Sequence, residues 1–139
     1  MLPTSFTNVR VLDCSGASPF DGAVLIAGGC IVRIARAGQT IDAPDALRID
    51  GRGGTLMPGL VEPHAHLSFT HFSQSVQMGD IPPEDHAIMT LHNARIMLDQ
   101  GFTSCNSAAA AKGRLDIAVR DAINRVIFLG HACSRRAPS

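Results

Sequence analysis

Two histidines at the end of a short apolar run constrain the fold of this chain more than any other feature. The run Leu60-Val61 follows Pro58-Gly59 and leads into His64-Ala65-His66. A proline and a glycine together are typical of a turn, and so short an apolar run suits a buried strand. Side chains two residues apart lie on the same face of a strand, so both imidazoles can reach one metal ion.

This arrangement points to a particular place in an α/β fold. The carboxyl end of a buried parallel strand is where an α/β barrel builds its active site. We therefore predict that His64 and His66 are metal ligands, because imidazole suits zinc and related transition metals. Glu62 projects from the same face of the strand. We predict that it supports the two ligands without binding the metal itself.

The stretch from Gly54 to His66 resembles the first barrel strand of the amidohydrolase superfamily. The pattern of that strand is Pro-Gly-apolar-apolar-Asp-x-His-x-His, and Glu62 stands where the family usually has Asp. The resemblance implies a divalent metal cofactor of one or two ions, with zinc expected first and manganese or iron as alternatives. It also implies a carboxylated lysine, two further histidines and a catalytic aspartate on later strands. Lys112 comes too early for that lysine, so the catalytic residues are unknown.

A second resemblance lies near the end of the chain. Residues 116–125 are similar to the second barrel helix of imidazolonepropionase-like and Xaa-Pro dipeptidase-like amidohydrolases, which continues as Gly-x-Ile-Pro-Gly-Pro-Arg. This chain departs from that pattern after Arg125. With suitable codons, one base added after the Arg125 codon restores Gly-Asp-Ile-Pro-Gly-Pro-Arg. We therefore predict that residues 126–139 are an out-of-frame tail.

The predicted fold class is α/β, the N-terminal part of a TIM-like (β/α)8 barrel preceded by part of a small β-sandwich. A closed barrel needs about 250 residues, so we expect the barrel to be incomplete in a chain of 139. Residues 1–57 are assigned to the partial sandwich, with strands at 8–12, 23–27, 31–34 and 47–50 and a hairpin at Gly28-Gly29. An independent small β domain is the alternative for this part.

Residues 58–125 are assigned to the first two β/α units of the barrel. Pro82-Pro83 suits a helix start and Gly101 suits its end. A second strand is expected at 102–105, and a second helix at 116–125. His86 and His92 lie six apart in the first helix, so they do not share a face as a ligand pair would, and we expect them to be structural or solvent-facing.

The long polar segment from Leu67 to Pro83 is the expected first strand-to-helix loop, on the catalytic face. Loops of this length are uncommon and often form pocket walls. We predict that Phe69, His71 and Phe72 line a substrate pocket, the alternative being that they anchor the loop. Asn106 falls at a strand end, where it can touch substrate or cap a turn.

Composition limits the other functions. Net charge is zero, which gives no electrostatic case for nucleic acid or an anionic membrane. No apolar run approaches the roughly 18 residues of a membrane helix, and the N-terminus lacks the features of a secretory signal. We expect a cytoplasmic protein whose four cysteines are free thiols.

The resemblance implies a metal-dependent amidohydrolase that uses a metal-activated water on an amide, cyclic amide or peptide bond. Its expected partner is a small-molecule amide, cyclic amide or dipeptide, and a homo-oligomer is expected of the full-length parent. The alternative is a catalytically inactive fragment that at most binds metal weakly, since catalytic zinc sites normally have three protein ligands.

Overall fold

The computed structural model describes residues 2–69 and 78–125 of the chain. These residues form a mixed α/β protein of two compact units that divide between Pro58 and Gly59. In the described part, neither helix is long and apolar enough to cross a membrane.

The first unit is a β-sheet. Its strands are β1 (Thr4–Val11), β2 (Phe20–Ala27), β3 (Cys30–Arg36), β4 (Leu47–Asp50) and β5 (Thr55–Leu56). Their order is β3-β2-β1-β4, and β5 also pairs with β1. Strands β1 to β3 are antiparallel neighbours, whereas β4 and β5 run parallel to β1. Each of the four predicted strands is present, and the bounds of β4 are those predicted.

The predicted start of the first strand was wrong. We expected it at Asn8, but β1 begins at Thr4, and the register with β2 shifts between Phe6 and Val9. Asn8 itself has φ of 53°, a left-handed conformation that asparagine tolerates better than most residues. The strand was predicted from the β-branched residues after Asn8, whereas its N-terminal half lies on the other side of the shift in register.

The core of the sheet is built from valines. Val9, Val11 and Val24 are buried, with Phe6, Phe20, Ile26 and Leu56 packed against them. The hairpin between β2 and β3 turns at Gly28 and Gly29, whose φ angles are 59° and 79°. Two successive positive φ angles match the turn that suits a two-residue hairpin, which confirms the predicted hairpin.

The second unit alternates strands and helices. Its elements are β6 (Leu60–Ala65), α1 (Pro83–Asp99), β7 (Phe102–Ser107) and α2 (Leu115–Asn124). Strands β6 and β7 are parallel neighbours, as a strand-helix-strand connection requires. Helix α1 contacts both β7 and α2. The two predicted helices and both predicted strands are therefore present. The bounds of β7 and α2 are within two residues of those expected, and β6 begins at Leu60, where the apolar run begins.

Helix α1 begins and ends as the sequence predicts. Pro83 occupies its first turn, and Glu84 and Asp85 follow there, where acidic side chains favour the positive end of the helix dipole. Gly101 has φ of 92°, and its N–H donates to the Leu98 carbonyl at 2.7 Å. A glycine in this conformation is a common helix terminator.

The buried face of α1 is polar. His86, Thr90 and Asn93 are its buried residues, whereas Ile88 of the apolar periodic pattern is 68% exposed. His92 is exposed. The two helix histidines were expected to be structural or solvent-facing. His86 is buried within the unit, and His92 is solvent-facing.

Candidate metal site

The parallel pairing of β6 with β7 positions the two predicted ligands. Ala65 is opposite Ser107 in the pairing, and the Ala108 N–H donates to the Ala65 carbonyl at 2.9 Å. His64 and His66 flank Ala65, so they stand where the strand pair ends. The following turn closes at once, because the Phe69 N–H donates to the His66 carbonyl at 3.0 Å.

The two imidazoles converge. Their Nε2 atoms lie 3.2 Å apart, and their ring centroids are 5.0 Å apart with an interplanar angle of 73°. Two nitrogens that bind one tetrahedral zinc ion at 2.0–2.1 Å lie roughly 3.3–3.4 Å from each other. The observed separation therefore fits two ligands on a single ion. In the described part of the chain, no group of three or more His, Cys, Asp or Glu residues forms a metal site.

The imidazole of His66 is held on two sides. Its Nδ1 lies 3.4 Å from the carbonyl oxygen of Ala109, and the Phe69 ring stacks on it with a centroid distance of 4.8 Å and an interplanar angle of 11°. A carbonyl oxygen only accepts, so this contact places the proton on Nδ1 and leaves a lone pair on Nε2. The predicted pocket residue Phe69 therefore lies against a predicted ligand.

Glu62 and Asn106 bond to the backbone around His64. A carboxylate oxygen of Glu62 accepts the His64 backbone N–H at 2.9 Å. The side-chain amide of Asn106 donates to the Pro63 carbonyl at 3.4 Å. Both contacts fix the strand that carries the predicted ligands. His71 and Phe72, the other two predicted pocket residues, lie outside the described residues.

Three polar contacts made by residues 109–112, in the segment after β7, were missed by the sequence analysis. Ser68 is buried, and its hydroxyl accepts the Ala111 N–H at 2.8 Å. The ammonium of Lys112 donates to the Gly79 carbonyl at 3.0 Å. The third is the Ala109 carbonyl described above. A backbone carbonyl carries no sequence signal, but a small hydroxyl residue two positions after the second histidine was visible.

Comparison with known proteins places these features in a family. The model of the amidohydrolase family matches residues 55–137, which include the histidine pair. The match includes every element of the second unit, from β6 to α2. The chain belongs to the amidohydrolase family.

Individual relatives cover different parts of the chain. The adenine deaminase of Escherichia coli O1:K1 / APEC is 35% identical over 60 residues, which are 43% of this chain and 10% of that protein. A crystal structure of a prolidase complexed with N-methylphosphonate-L-proline is 29% identical with a TM-score of 0.78. A crystal structure of an amidohydrolase is 25% identical with a TM-score of 0.79. Each of these two matches covers 93% of this chain and 30% of the solved chain.

Proposed function

We propose that this chain supplies the first metal-binding strand of a metal-dependent amidohydrolase. The observation that carries the proposal is the 3.2 Å separation of the His64 and His66 Nε2 atoms. Family membership and the similarity to a prolidase structure support hydrolysis of an amide bond. Zinc as the metal, an incomplete TIM-like barrel in this chain and a cytoplasmic location belong to the same proposal.

In this proposal, residues of the described part of the chain bind the metal ion and orient its ligands. His64 and His66 would hold the ion through Nε2, with the tautomer of His66 set by Ala109. Phe69 covers one face of the His66 ring, which fixes its plane. When bound, a divalent ion supplies Lewis-acid activation of water and of the scissile carbonyl.

Metal binding is tested on the chain itself. Zinc titration by calorimetry should give one site in the wild type that His64→Ala and His66→Ala each weaken by at least about 10-fold, because each change removes one of two ligand nitrogens. His92→Ala is the matched control, since that histidine is exposed in α1. Unchanged zinc affinity in both His64→Ala and His66→Ala would exclude the pair as ligands.

Two classes of C–N bond compete as the substrate. The prolidase match covers 93% of this chain and favours a dipeptide. The segment that is 35% identical to an adenine deaminase favours adenine, which would lose its amino group. We favour the dipeptide because its match covers both units. Dipeptides ending in proline, N-acyl amino acids and adenine should be offered to a longer, frame-corrected protein with added zinc or manganese. Ammonia release from adenine alone would replace the peptidase assignment with a deaminase one.

We also propose that residues 126–139 are an out-of-frame tail. The tail lies outside the described residues. The family match runs to residue 137 and so counts against an out-of-frame tail, which leaves the reading-frame argument as the only support for the proposal. Sequencing the DNA around the codon of Arg125 tests it directly. The alternative to an active hydrolase is a catalytically inactive fragment that at most binds metal weakly, and turnover of any amide by the 139-residue chain would exclude that alternative.

A further inference from the structure

Beyond the ligands, a buried polar network connects helix α1 to His66. His86 is 1% exposed and Ser68 is 3% exposed. The Nε2 of His86 lies 2.8 Å from the Ser68 carbonyl oxygen, and a carbonyl only accepts, so His86 donates this hydrogen bond through Nε2. The helix therefore holds the backbone two residues beyond the second predicted ligand.

Ser68 extends the network to the segment after β7. Its hydroxyl oxygen accepts the Ala111 N–H at 2.8 Å. Two residues earlier in that segment, the Ala109 carbonyl lies 3.4 Å from His66 Nδ1. Ser68 thus joins the turn that carries His66 to the segment that sets the tautomer of His66.

Other residues of α1 stabilise the same connection. The side-chain amide of Asn93 donates to the Leu67 carbonyl at 2.7 Å. Thr90 is fully buried, and its hydroxyl donates to the His86 carbonyl at 2.7 Å. Consecutive carbonyls of the turn, those of Leu67 and Ser68, are therefore both bonded to side chains of one helix.

These hydrogen bonds stabilise the turn because the polar groups that they join are buried. A buried polar group without a partner is costly, so each of these bonds restricts the turn to one conformation. Within the described residues, Nδ1 of His86 has no hydrogen-bond partner, so its bond to Ser68 is the one that this imidazole makes there. The buried polar face of α1 therefore bonds to the turn and does not contribute to an apolar core.

We propose that His86 and Ser68 are positioning residues for the metal site. They hold the Ala109 carbonyl against His66, which keeps the proton on Nδ1 and presents the Nε2 lone pair to the ion. This inference rests on the proposed function for its consequence in metal binding. Residues that orient metal ligands through their other ring nitrogen typically affect metal affinity by 10–100-fold.

The test compares four variants of the full chain. Ser68→Ala removes the acceptor of the Ala111 N–H, His86→Leu removes the donor to Ser68, and His86→Gln retains a donor near the position of Nε2. His92→Gln is the matched control on the exposed side of the same helix. Circular dichroism establishes that each variant is folded, and Ser68→Ala with His86→Gln decides the matter if His86→Leu unfolds.

The first measurement needs no metal. Nitrogen-15 NMR of the imidazoles at a pH of about 8, where histidine is neutral, reports which ring nitrogen of His66 carries the proton. We expect the Nδ1–H form in the wild type and in His92→Gln, and a mixture of both tautomers in Ser68→Ala and His86→Leu. An unchanged Nδ1–H form in Ser68→Ala would overturn the inference.

The second measurement is zinc affinity, with zinc chloride as the probe. Zinc bound by a His64→Ala/His66→Ala double variant is subtracted, which removes binding by cysteines. We expect about 10-fold weaker binding in Ser68→Ala and His86→Leu, and recovery of most of that loss in His86→Gln. Equal affinity in wild type and Ser68→Ala would also overturn the inference.

The two measurements separate this inference from the proposed function. If the wild type binds no zinc at the histidine pair, the proposed function fails, and the NMR result alone decides whether His86 and Ser68 set the tautomer. If the wild type binds zinc and the variants match it in both measurements, the proposed function stands and the inference fails.

Discussion

A single methyl group added at Gly59 should destabilise the second unit. A Cβ placed on Gly59 would fall within clashing distance of the Oγ1, Cγ2 and Cβ atoms of Thr103. Gly59 directly precedes β6, and Thr103 lies in the neighbouring β7. The glycine of the Pro-Gly pattern is therefore explained by the close approach of a threonine side chain rather than by a positive φ.

The magnitude for Gly59→Ala follows from two opposing effects. Overpacking of this kind typically costs about 1–3 kcal/mol, because the Cβ of threonine cannot rotate away. Loss of glycine's freedom in the unfolded chain returns about 0.4–1 kcal/mol. We expect a net destabilisation of about 1–2 kcal/mol, measured by urea unfolding.

A double-mutant cycle tests the cause. Thr103→Gly removes all three clashing atoms, so Gly59→Ala should cost much less in that background than in the wild type. The expected coupling is about 1 kcal/mol or more. Thr103→Ala keeps the Cβ and should rescue only in part. If the free energies of Gly59→Ala and Thr103→Gly add within about 0.5 kcal/mol, the clash is not the reason for the glycine.

Three further predictions concern the first unit. Val24→Ala should lower its stability by about 2 kcal/mol in urea unfolding, because Val24 is at the centre of the buried valine cluster. Gly22→Ala should lower the melting temperature, since an added Cβ would clash with the Ala35 carbonyl across the β2–β3 pair. The pKa of Asp50 is lowered from its ordinary value of 3.8 by hydrogen bonds from the Arg52 N–H and the Asn8 amide. This stabilisation is present above pH 3.8 and is lost as pH falls through the lowered pKa, so wild type and Asp50→Asn should differ in melting temperature at pH 6 and converge in acid.

The sequence predicted what depends on local pattern. The β6 strand follows from a turn signal, an apolar pair and alternation, all within the stretch that ends at His66. Helix α1 follows from its proline start and its glycine end, and each of these signals lies next to the boundary that it predicts. Local signals were sufficient to identify these elements, although β6 makes its ladder hydrogen bonds with β7, which is distant in sequence.

The buried face of α1 could not be predicted in the same way. Apolar periodicity identified the helix, but the residues that are buried are His86, Thr90 and Asn93. Two of these are stabilised by carbonyls of Leu67 and Ser68, which lie 26 and 18 residues away in sequence. Hydropathy scores such side chains as solvent-facing, and only their tertiary partners make burial favourable.

The two histidines of the pair are not equivalent. The Ala109 carbonyl holds the proton of His66 on Nδ1, so its Nε2 can only accept when the ring is neutral. In a hydrogen bond across the 3.2 Å contact between the two Nε2 atoms, His64 is then the donor. Binding an ion through both Nε2 atoms requires His64 to move its proton to Nδ1, whereas His66 already has the required form. Because His64 is exposed, water can mediate that transfer. The Ala109 carbonyl therefore presets the tautomer of His66, the less exposed of the two proposed ligands, and His64 is the one that has to adjust.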